Sequence, residues 1–162
     1  LLCGGRSECC TSERRPSLNT NMKTLIAFLL IWIGAETDYN VKVPHPNIIQ
    51  MPQVEMNTMF YGEGNTGSGK LHAFYDPKSD TIYLNENFDI HNAFDKGILL
   101  HELLHYVQDM NEVVGEKFEC WRATELEVYE LQAKYLLEVH GVVFEYDDLF
   151  VRMSAVCNPN MY

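Results

Sequence analysis

An α+β domain is what the sequence predicts, and three stretches predict it. Residues 97–110 place apolar side chains at helical spacing, and residues 120–140 do so again. Ahead of both, residues 71–75 and 81–84 alternate in the manner of strands around a turn at Asp76, Pro77 and Asp80, which reads as a hairpin. The expected architecture is a small antiparallel or mixed sheet packed on two helices.

Residues 1–21 hold Cys3, Cys9, Cys10, Arg14 and Arg15 without apolar periodicity. They read as an upstream extension, with Met22 as the expected natural start. The adjacent arginines hint at a twin-arginine signal, but Pro16 follows them directly. Lys23 then opens an apolar run through residue 35. A basic start, a short apolar run and a small residue at Ala35 outline a secretory signal peptide over residues 22–35. A membrane anchor is the competing reading, but spanning takes about 20 apolar residues.

The domain expected after cleavage, 36–162, is long enough for one core. The whole chain carries a formal charge of −11, and residues 1–35 contribute more basic than acidic groups, so the domain is more acidic still. Such a surface repels nucleic acid and anionic lipid, which argues against either as partner. Export to the periplasm or the extracellular space would leave Cys120 and Cys157 where disulfides persist. Their pairing is expected, with two buried thiols as the alternative. By loop entropy the bridge contributes about 3–4 kcal/mol.

Pro44, Pro46 and Pro52 suit an extended lead-in or edge strand over residues 39–58. Residues 64–70 match the spacing of a phosphate loop, G-x-x-x-x-G-K. Leu71 stands where Ser or Thr belongs, however, and a strand follows where a helix N-terminus is required. Residues 62–70 therefore read as a plain glycine loop. The first long helix should begin near His91 or Asn92, with Phe94 and Ile98 preceding its polar face. Around its axis His105, Gln108, Asp109 and Glu102 fall on one side, and Leu99, Leu100, Leu103, Leu104, Tyr106, Val107 and Met110 on the other.

On this helix lies His101-Glu102-Leu103-Leu104-His105. Residues four apart stack on one helical face, so both imidazoles can reach a single ion, while Glu102 beside them can take a proton from water. The second helix, ended by Gly141, carries an apolar arc of Trp121, Val128, Tyr129, Ala133, Tyr135, Leu136 and Val139. Glu125 falls inside that arc, whereas Glu127, Glu130, Lys134 and Glu138 lie opposite. A carboxylate on a buried stripe needs a cation, and an ion held by two histidines supplies one. The bland alternative is a Glu near a helix start, paired with Arg122.

His-Glu-x-x-His followed, after nineteen intervening residues, by a helical Glu resembles the gluzincin class of zinc metallopeptidases. In size and in the run Glu125-Leu-Glu-Val-Tyr-Glu-Leu-Gln132 the chain looks most like minimal gluzincins, among them secreted bacterial domains of unknown function. The resemblance covers residues 71–140. Where the class often has a small residue and Asp after its Glu, this chain has Val128 and Tyr129. It implies a zincin-like fold with His101, His105 and Glu125 as ligands of Zn2+, Glu102 as general base, and a peptide or protein substrate. It also implies substrate addition along an edge strand, for which residues 81–84 and the neighbouring strand are candidates. Asp109 and Tyr129 are the candidates for orienting the ligands. The expected function is a secreted zinc metallopeptidase. The rival is a non-catalytic secreted binding module with structural zinc, closed by a fourth ligand such as His72 or His91. A non-metal interaction domain would leave Glu125 unexplained. His72, His91 and His140 read as surface or capping residues. The apolar tail at residues 142–153 is expected to close the core as a strand or short helix, with Tyr146 and Tyr162 unplaced.

Overall fold

The computed structural model describes residues 20–64 and 71–157. Residues 1–19 of the expected upstream extension and Tyr162 lie outside these residues, as does most of the glycine loop, while the last two residues of that extension, Thr20 and Asn21, begin the first helix. Among the described residues, five helices accompany a three-stranded mixed sheet, as expected for an α+β domain. The helices are α1 (Thr20–Glu36), α2 (Gln53–Tyr61), α3 (Ala93–Met110), α4 (Trp121–His140) and α5 (Asp148–Ser154). The strands are β1 (Asn47–Met51), β2 (Ala73–Asp76) and β3 (Thr81–Asn85), in the order β1-β3-β2.

The hairpin forms where its alternation placed it. β2 and β3 pair antiparallel, with Phe74 opposite Tyr83. β1 adds to the other side of β3 in parallel, with Ile48 opposite Ile82. All five residues of β3 are therefore buried. The expectation for residues 39–58 is met only by β1; Pro52 ends the extended segment and α2 follows it as an unforeseen helix. Proline suits that place because it presets φ and its missing N–H is not needed at a helix start.

α3 is capped by Asn92, whose side chain accepts from the N–H groups of Phe94 and Asp95. Its buried residues include Leu99, Leu100, Leu103, Leu104, Tyr106 and Val107, the side predicted to face the core. Two positions on α3 differ from the helical sort. Gln108 is fully buried and Met110 is exposed, because the last turn leaves the sheet and meets α4 and the segment after α1 instead. α3 and α4 pack closely: a Cβ on Gly97 would stand 3.0 Å from the Leu136 side chain. α4 ends at Gly141 in the left-handed conformation, where the residue lacks the Cβ that would oppose it.

The stretch read as a leader is part of α1, and its side chains enter the same core as α3 and α4. Ile26, Leu29 and Ile33 are fully buried and Leu30 nearly so, while Trp32 meets Tyr135 edge-on at 5.3 Å. Among the described residues no helix is long and apolar enough to cross a membrane. The tail forms α5, and Cys120 and Cys157 are joined in a disulfide that ties the end of the tail to the start of α4.

Candidate metal centre

Helical spacing brings His101 and His105 to one face of α3, their ring centroids 5.0 Å apart. α4 crosses that face and delivers Glu125 from its second turn. Glu125 Oε2 lies 3.5 Å from His101 Nε2, and its Oε1 lies 3.3 Å from His105 Nε2. One ligand atom from each of the three residues falls within 4.8 Å of the others, so the group can hold a metal ion.

The far side of each ring is engaged as well. His101 Nδ1 donates to Gln132 Oε1 at 3.0 Å, which turns Nε2 toward Glu125. Thr124 Oγ1 lies 3.5 Å from His105 Nδ1 and donates to the Trp121 carbonyl. Gln132 and Thr124 are both buried. Neither was foreseen as a ligand partner, although Gln132 lies seven residues after Glu125 on the same face. Of the two candidates proposed from the sequence, Asp109 instead accepts from the Tyr75 hydroxyl at 2.6 Å. Tyr129 meets the His101 ring edge-on at 4.9 Å.

Electrostatics favour a charged Glu125. Burial pushes its carboxyl up, but hydrogen bonding to His101 and His105, with their charges, outweighs this and holds it well below the usual range. Burial pushes His101 down, yet Glu125, the charge of Glu102 and Gln132 together raise it above 6.5. Burial and the negative charges of Glu125 and Glu102 push the Tyr129 phenol up, so it stays a neutral donor.

Glu102 is fixed from outside the metal group. Its Oε2 accepts the Tyr75 backbone N–H at 2.9 Å, which joins it to β2. The pairing register explains why that N–H is available. Asn85 N–H donates to the His72 carbonyl, so alternation directs the polar backbone groups of Ala73 and Tyr75 away from β3. The exposed edge beside α3 is thus β2, while residues 81–84, the first-named candidate edge, form the central strand.

His101, Glu102, His105 and Glu125 open into a cavity of about 700 Å³. Ala73 to Tyr75 of β2 form one side, with Phe60 and Trp121 among its apolar walls. Phe150, Val151 and Ser154 of α5 add a wall that the sequence did not reveal. His72 and His91 do not belong to the metal-capable group among the described residues. His140 lies 3.2 Å from the Tyr135 hydroxyl, at the far end of α4.

Glu127, assigned by the helical sort to the solvated face, is instead half-buried. It accepts from Gln108 at 2.9 Å and Lys117 at 2.6 Å, and also from the Tyr39 hydroxyl. The cause is the segment after α1, which covers this part of α4.

No match was found among curated proteins or among solved structures. A family described as a domain of unknown function matches residues 19–162, a span that takes in α1 as well as the metal-capable group. The chain therefore belongs to the DUF6647 family of domains of unknown function.

Proposed function

We propose that this chain is a zinc-dependent peptidase that hydrolyses peptide bonds in an extended polypeptide. The observation that supports it most is the joint placement of His101, His105 and Glu125 with Glu102, at a cleft bordered by the outward edge of β2. Two imidazole nitrogens and one carboxylate form a donor set that suits zinc in a catalytic site, where three protein ligands leave one position open. Zinc bound there supplies Lewis acidity, bringing the pKa of a coordinated water near 7 and polarising a carbonyl.

The remaining roles belong to this chain's own residues. Gln132 and Thr124 hold the rings so that the Nε2 atoms converge on Glu125. The edge of β2 pairs with the substrate backbone as an added strand. The Tyr75 N–H orients the Glu102 carboxylate, which takes the proton of the attacking water and passes it to the departing amine. We place the activity in an oxidising compartment outside the cytoplasm, because the Cys120–Cys157 bridge persists there. That location rests on the bridge.

Glu102→Gln tests the assignment. It keeps size and a hydrogen-bonding oxygen for the Tyr75 N–H but cannot accept a proton. At matched zinc occupancy it should lose about 10² to 10⁴ in rate on an unfolded protein substrate. Equal activity in the two proteins would sink the mechanism. Full zinc binding with activity in neither, across a broad peptide library, would favour the non-catalytic binding module with structural zinc.

A further inference from the structure

Acyl transfer places negative charge on the former carbonyl oxygen, and hydrogen-bond donors aimed at that oxygen supply a large share of catalysis. The Tyr75 N–H beside the site is already committed to Glu102. A further donor must come from a side chain of the cleft.

The tyrosines of this domain divide on one point. Tyr39, Tyr75 and Tyr106 each donate a hydroxyl proton, to Glu127, Asp109 and the Pro44 carbonyl respectively. The Tyr135 hydroxyl pairs with His140. Tyr129 is half-buried and its hydroxyl makes no hydrogen bond among the described residues; buried Tyr83 on β3 makes none either, but Tyr129 borders the cleft and Tyr83 does not. Sheltered tyrosines ordinarily find such a partner. Its ring is held on two sides, edge-on to His101 at 4.9 Å and against Tyr146 at 5.3 Å. It also stands one turn beyond Glu125 on α4, the spacing that keeps two side chains on one face. Tyr146 differs: it does not border the cleft, and the charges acting on it are those of Glu130, Asp148 and Arg152 rather than the metal group.

We infer that Tyr129 is a catalytic residue whose hydroxyl donates to the substrate carbonyl oxygen as negative charge develops there. This rests on the peptidase reading above. The neutral phenol loses no protein partner when substrate enters, and the ring contacts with His101 and Tyr146 hold it in position beforehand. Tyr146 is then a buttress for the ring and supplies no donor.

Tyr129→Phe keeps the ring and removes only the hydroxyl. Two readouts on zinc-loaded protein test it: turnover of an unfolded protein substrate, and affinity for a phosphinic peptide, whose tetrahedral oxygens imitate the charged intermediate. The variant should keep the wild-type zinc affinity and thermal stability. It should lose about 10² to 10³ in kcat with little change in KM, and a comparable factor in phosphinic-peptide affinity. Tyr146→Phe should lose far less in both. Wild-type behaviour of Tyr129→Phe in both readouts would overturn the inference, as would lost zinc affinity, which marks a purely structural role. If wild type cleaves nothing, the peptidase reading fails separately. The phosphinic peptide then decides alone: weaker binding by Tyr129→Phe supports the donor, while equal binding or none by wild type overturns it.

Discussion

Gln132 and Glu125 share one stripe of α4, and both are polar among apolar neighbours, yet only Glu125 was legible as part of a site. A charge on a buried face demands a counter-charge, and the His101–His105 pair supplied an obvious one. An amide needs only hydrogen bonds, which any neighbour can provide, so Gln132 carried no pointer to His101. The pairing has a consequence for pH. His101 is raised above 6.5, so its contribution to metal-free stability is full below that value and fades as pH rises through the raised one. Glu125 is lowered from 4.5, so its contribution is present above that value and lost as pH falls toward the lowered one. The metal-free trio thus stabilises most between pH 4.5 and 6.5. Metal requires the neutral imidazole, so zinc should compete with a proton on His101. Titration from pH 8 to 5.5 should show affinity falling by about tenfold per unit below the raised value. A flat profile would contradict the hydrogen-bonded arrangement.

Among the elements, α3, α4 and the β2–β3 hairpin were readable because each is local: a period of 3.6 or 2, a cap, a turn. α2 was not, and β1 was readable only as an extended segment, since it pairs in parallel with β3 across more than thirty residues and no local pattern encodes that pairing. The same limit hid the role of Glu127. Periodicity put it in solvent, but the segment after α1 brings Tyr39 onto it, while Gln108 and Lys117 reach it from α3 and the loop after it. Glu127→Ala should therefore destabilise the fold by about 1–3 kcal/mol, since it leaves the buried Gln108 amide without that acceptor. Chemical denaturation measures this directly, and a change within error would mean the network carries no stability.

At the scale of the whole molecule, α1 decides what the domain is. An apolar run behind a lysine has the composition of a leader, and composition alone does not distinguish a cleaved segment from a buried helix. Here four of its side chains fill the core, worth on the order of 6–12 kcal/mol of burial, comparable to the whole stability of a domain this size. Protein lacking residues 22–35 should accordingly fail to show a cooperative thermal transition; a transition like that of the longer chain would argue for a dispensable leader. The central claim is that α3 and α4 together build one zinc site. Equilibrium dialysis of the wild type, Glu125→Ala and Glu127→Ala under native conditions tests it most directly. The account predicts one zinc per wild-type chain, strongly weakened binding in Glu125→Ala, and wild-type stoichiometry in folded Glu127→Ala. Undiminished zinc affinity in Glu125→Ala would contradict it.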